Sequence, residues 1–69
     1  MRRDWQSVYK DTREYRVDIV KAILEGEGLA PVKVNKTVTA YGFGNFEIFV
    51  EADSVLRAVR IIKEEIKFE

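Results

Sequence analysis

Neither cysteine nor histidine occurs in this 69-residue chain. The first absence excludes disulfide staples, thiolate nucleophiles and cysteine-based zinc sites. The second excludes imidazole acid–base catalysis and a histidine pH switch. Net charge is missing as well, because twelve Lys and Arg are matched by twelve Asp and Glu. Without it the chain lacks the long-range field that draws proteins to nucleic acid or anionic membranes, so neither is an expected partner. No apolar run approaches the roughly 18 residues of a spanning helix. The basic start Met1-Arg2-Arg3-Asp4 is not followed by the apolar stretch of an export signal. A cytoplasmic protein without metal or cofactor is the expectation.

What is present describes a globular chain, 46% hydrophobic and 35% charged, and we expect one domain over residues 1–69. A domain this small buries only about 60% of the surface its unfolded form exposes. With disulfides excluded, good local packing or self-association has to supply the remaining stability, and a homo-oligomer is therefore an expected state.

The aromatic and β-branched run Trp5-Gln6-Ser7-Val8-Tyr9-Lys10 reads as a strand. Strict alternation puts Trp5, Ser7 and Tyr9 on one face and Gln6, Val8 and Lys10 on the other, and leaves open which face looks inward. Asp11-Thr12-Arg13-Glu14 has the form of a capping box. A 3.6-residue period follows to Gly26, with Tyr15, Ile19, Ala22 and Ile23 in one arc extended by Val20 and Leu24. Glu14, Asp18, Lys21 and Glu25 fall opposite, and Arg16 intrudes on the apolar arc. Gly26 and Gly28 offer left-handed caps, Leu29 the accompanying apolar contact, and Pro31 bars continuation.

Val32–Lys36 alternates as a half-buried strand, and Thr37–Asn45 reads as a nine-residue connection. In Phe46–Val50 the residues Phe46, Ile48 and Val50 point inward, Glu47 and Phe49 outward. Asp53 is the expected N-cap of a second helix to about Glu65, with Val55, Ala58, Val59, Ile62 and Ile66 in its stripe, flanked by Leu56 and Ile61. The tail 66–69 suits either a longer helix or a short fourth strand. The expected fold is α+β: a β-α-β-β-α ferredoxin-like sandwich with two helices on one face of an antiparallel sheet.

Several segments together resemble a known family. They are Trp5-x-x-Val8-Tyr9, Asp18–Glu25 followed by Gly28-Leu29 and Val32, then Asn35-Lys36, Glu47–Val50, and Leu56-x-Ala58-x-x-Ile61-Ile62. Over residues 5–65 the chain is similar to the small bacterial domain family of unknown function described as prokaryotic signal-transducing proteins. The resemblance implies a ferredoxin-like fold, PII-like in shape, and a regulatory role as a stand-alone chain or an appended domain. The family carries no catalytic residues to transfer. Arg16 departs from its pattern, standing where a small residue facing the sheet is expected.

Two features are candidates for binding. In the 37–45 connection, Tyr41, Gly42, Gly44 and Asn45, next to Asn35 and Lys36, could cradle an anion or another small molecule. They do not form a G-x-G-x-x-G element, however, and they precede a strand rather than a helix. A hairpin connection with its glycines at positive φ is the simpler reading. The second candidate is the aromatic set Trp5, Tyr9 and Phe49. If all three face away from the helices, they form an apolar patch suited to self-association or a protein partner. Base stacking on RNA is disfavoured, because Glu47 and Glu51 lie beside Phe49 and repel phosphate. The remaining carboxylate pairs, Glu25/Glu27 and Glu64/Glu65, read as solvated surface. These features lead to the expectation of a small non-enzymatic regulatory or binding module. The alternative is a structural interaction domain that docks through its open sheet face.

Overall fold

A computed structural model describes residues 4–38 and 43–66. It shows an α+β fold with elements β1 (Trp5–Asp11), α1 (Glu14–Gly26), β2 (Val32–Val38), β3 (Phe43–Glu51), a 3₁₀ turn (Ala52–Ser54) and α2 (Val55–Glu65). Three strands form one sheet in the order β1-β3-β2, and β3 is antiparallel to both neighbours. The outer strands β1 and β2 therefore run parallel to each other, joined by α1, with β3 inserted between them.

Both helices share one core with the Ile48 and Val50 side of β3. Val17, Val20 and Leu24 of α1 and Ala58 and Ile61 of α2 are buried there, and Phe46, Val55, Ile62 and Ile66 are partly buried against them. This bears out the inward placing of Phe46, Ile48 and Val50. The face of α1 is rotated from expectation. Its apolar residues cover more of the helix circumference than one sheet can accept, so Val17, Val20 and Leu24 take the core while Tyr15, Ile19 and Ala22 stay exposed. In α2, likewise, Leu56 and Val59 lie outside the core and Ile61 within it.

The start of α1 is not a capping box. Arg13 occupies the cap position without a side-chain cap bond. Instead Asp11 Oδ1 accepts from the Arg13 backbone N–H at 3.0 Å, and Glu14 turns away to accept from Lys33 Nζ at 2.9 Å. The helix end agrees with its sequence signal. Leu29 N–H bonds to the Leu24 carbonyl and Gly28 N–H to the Glu25 carbonyl. Gly28 sits at φ 89°, a left-handed C′ position that completes a Schellman motif. Asp53 lies inside the 3₁₀ turn, and Ser54 precedes α2, again without a side-chain cap bond.

The expected 37–45 connection is mostly strand. Thr37 pairs with Gly44 and Val38 with Phe43, leaving residues 39–42 between β2 and β3. A longer ladder satisfies more backbone donors and acceptors than an open loop does. The tail 67–69 lies outside the described residues.

Candidate functional site

The pairing register decides which side chains share the helix-free face of the sheet. In β1 the register shifts between Ser7 and Tyr9, so that Val8 is an extra residue against β3. Before this bulge, Trp5 lies opposite Glu51 and Ser7 opposite Phe49. After it, Tyr9 lies opposite Ile48 and Lys10 opposite Glu47. A bulge breaks the two-residue alternation, so Tyr9 leaves the face of Trp5 and Ser7 and packs, with Val8, against the core. The expected trio Trp5, Tyr9 and Phe49 is thus divided, with Trp5 and Phe49 on the open face and Tyr9 on the helix side.

Tyr9 belongs to a polar corner where β1 passes into α1. Its hydroxyl donates to Asp11 Oδ2 at 2.8 Å, and Arg16 Nη1 lies 3.7 Å from the same oxygen. Partial burial, and then the Asp11 carboxylate, push the Tyr9 phenol up to about 12. The Arg13 backbone N–H, with help from Tyr9 and Arg16, holds Asp11 below its ordinary value. Arg16, which intrudes on the apolar arc of the sequence, is thus an ion-pairing residue at the start of α1.

β2 places Val32 opposite Phe49, Val34 opposite Glu47 and Lys36 opposite Asn45, so these six side chains share the open face. Lys33 and Asn35 take the helix side, where Lys33 Nζ bridges Glu14 at 2.9 Å and Asp18 at 2.7 Å. Trp5, Val32, Val34 and Phe49 line an open depression of about 350 Å³. Trp5 keeps 42% of its surface exposed and Val32 44%.

Beside the depression, Glu47 is only 7% exposed although it points away from the core. Lys36 Nζ meets its Oε1 at 2.8 Å. That contact, followed by a hydrogen bond from the Ser7 hydroxyl, lowers the Glu47 carboxyl below its ordinary value against the opposing effect of burial. Lys36 Nζ also stands 5.6 Å from the centroid of the Phe49 ring. Lys36 and Glu47 thus neutralise each other beside the depression, whose own lining is hydrocarbon.

Of the residues expected to bind a ligand, Lys36 and Asn45 come together on this face, whereas Asn35 lies on the other. Gly44 belongs to β3, and Tyr41 and Gly42 lie outside the described residues. Val32 and Val34 were not among the site residues read from the sequence. A short β2–β3 connection was the signal that would have placed them opposite Phe49 and Glu47.

Among the described residues no three Asp or Glu converge in a way that would hold a metal ion, and no helix is long and apolar enough to cross a membrane. No protein-family model matches the chain, and no curated protein or solved structure is significantly similar to it.

Proposed function

We propose that this chain is a small non-enzymatic binding module of ferredoxin-like build, which docks on another protein through the open face of its sheet. The apolar depression formed by Trp5, Val32, Val34 and Phe49 carries this reading. The ferredoxin-like part is supported by the strand order β1-β3-β2 with both helices on one core. Because the depression is lined by hydrocarbon and Lys36 and Glu47 neutralise each other beside it, the partner that fits presents an uncharged aliphatic or aromatic side chain. A regulatory role fits the family resemblance in the sequence. A small-molecule site around Asn35–Asn45 has less behind it, since Lys36 is engaged by Glu47 and Asn35 lies on the opposite face.

Magnitudes point to transient binding. Covering what remains exposed of the four side chains removes on the order of 200 Å² of apolar surface, about 5 kcal/mol gross. Lost translational and rotational freedom costs a comparable amount, so affinity depends on what the partner adds at the rim. The test is affinity capture with wild type and with Phe49→Asp, followed by titration of the purified captured protein against Trp5, the single tryptophan. A saturable shift of tryptophan emission that Phe49→Asp abolishes is expected. Equal capture by both proteins, or binding that leaves Trp5 emission unchanged, defeats the reading.

A further inference from the structure

The Val8 bulge exchanges one side chain on the open face of the sheet for another. Strict alternation along β1 would set Tyr9 beside Trp5 and Ser7. The extra residue turns Tyr9 to the core and brings Lys10 to the open face, opposite Glu47 on β3. Lys10 is exposed. After the contacts from Lys36 and Ser7, its charge helps to hold the Glu47 carboxyl below its ordinary value. It makes no ion pair with another described residue.

The charges around Lys10 leave this end of the face positive. Lys10 and Lys36 flank one carboxylate, Glu47, and it is Lys36 Nζ that closes on it at 2.8 Å. Asp11, next along β1, lies opposite Phe46 on the helix side, held by the Arg13 backbone N–H, the Tyr9 hydroxyl and Arg16. Glu14, at the start of α1, is taken by Lys33, and Arg13 beside it adds a cation and not an anion. The other carboxylate of the open face, Glu51, is four residues from Glu47 along β3, about 13 Å away beyond Phe49, and has a contact of its own. Among the described residues, the spare cation of the open face therefore stands at its Lys10 end.

We propose that the protein segment docked in the depression carries a carboxylate beside its apolar anchor, and that Lys10 receives it. This inference rests on the sheet-face reading and names what the partner adds at the rim. Lys10 stands one two-residue repeat, about 7 Å, along the strands from the row of Phe49 and Val32, and one strand spacing, about 5 Å, to the side of β3. An Asp or Glu two residues from the anchor on an extended segment, or three to four on a helix, spans that interval once the lysine side chain reaches out. The polarity of the face also orients the segment. Its acidic side chain lies toward Lys10, because at the Trp5 end it would meet the like charge of Glu51.

Selection of phage-displayed peptides on the immobilised full chain tests it, with Lys10→Glu and Phe49→Asp selected in parallel and thermal melts confirming that each variant folds. The wild type is expected to enrich peptides with Asp or Glu at a fixed spacing from an apolar residue. Lys10→Glu is expected to enrich Lys or Arg at that spacing, and Phe49→Asp to enrich neither. Fold damage cannot produce such a reversal of charge preference. The strongest wild-type peptide, made without tryptophan, is then titrated against Trp5 emission. Replacing its acid by the amide is expected to weaken binding about two- to fivefold, the worth of one exposed ion pair. In Lys10→Glu the same replacement is expected to strengthen it. Peptides that share an apolar residue but no acid, or an acid whose replacement costs as much in Lys10→Glu, overturn the inference and leave the sheet-face reading standing. Absence of any enrichment that depends on Phe49 overturns both. Dimers of the wild type in sedimentation equilibrium that Phe49→Asp abolishes would make a second copy the occupant and equally overturn the inference.

Discussion

The register shift at Val8 makes part of the alkaline stability of this protein depend on one phenol. Tyr9 is turned to the helix side, partly buried, and hydrogen-bonded to Asp11, and its pKa stands at about 12 instead of 10. The folded state therefore holds this proton more tightly than the unfolded state. The resulting stabilisation is complete below pH 10 and is lost as pH rises from about 10 to about 12. Two pH units correspond to at most about 2.7 kcal/mol. Because the side chain is only partly buried and water screens its neighbours, we expect about 1–2 kcal/mol. Urea denaturation followed by far-UV circular dichroism, on wild type and Tyr9→Phe at pH steps from 8 to about 12, measures it. Lysines, Lys33 among them, also lose stabilising charge in this range, so the informative quantity is the difference between the two proteins. At neutral pH Tyr9→Phe is expected to be less stable by about 1 kcal/mol, the net worth of its hydrogen bond. That gap should close, or reverse, by pH 12. Parallel curves would show that the phenol is not held as described, and with it that the bulge does not place Tyr9 on the helix side.

Leu24→Ala is expected to cost about 3 kcal/mol by opening a cavity at a fully buried position, a large share of the roughly 3–10 kcal/mol available to a domain of this length. Leu56→Ala, at 86% exposure, should stay within about 0.5 kcal/mol. Chemical denaturation of both variants checks the orientation of each helix, and similar costs would contradict it. Gly28→Ala should destabilise by about 1 kcal/mol through backbone strain alone, since φ is 89° and nothing stands within 4 Å of an added Cβ. Gly26→Ala, helical and equally unobstructed, should be neutral or stabilising by up to about 1 kcal/mol, and thermal melts of the pair separate backbone from packing.

The parts of the fold that could be read from the sequence are those governed by near neighbours. Gly28, Leu29 and Pro31 announce the end of α1, and the alternation Phe46, Ile48, Val50 names the inner face of β3. Where the outcome depends on what a residue meets across the fold, local pattern does not decide it. A wide apolar arc on α1 does not say which part the sheet will cover, and by periodicity alone Tyr15 and Ile19 look like core. The bulge at Val8 has no local mark, as neither glycine nor proline stands there, and without it Tyr9 was placed with Trp5. Treating residues 37–45 as a loop concealed the pairing of Val32 with Phe49, and with it half of the apolar depression. Asp11 and Asp53 have the chemistry of caps, but Asp11 reaches only the Arg13 N–H at the cap position without the returning bond from Glu14, and Asp53 lies inside the 3₁₀ turn instead of capping α2.

The same irregularity at Val8 bears on how the protein stays dispersed. Among the described residues both β1 and β2 are edge strands, and β1 begins at Trp5, an aromatic residue that a flat edge would offer to any extended chain. An extra residue twists and interrupts that edge, so another strand can align with only part of it before the spacing fails. β2, which is regular throughout its pairing with β3, carries lysines at 33 and 36 instead, one on each face. The two edges thus carry different guards against end-to-end growth of the sheet into fibres, one geometric and one electrostatic. Restoring strict alternation by deleting Val8 would remove the geometric guard while leaving the composition almost untouched.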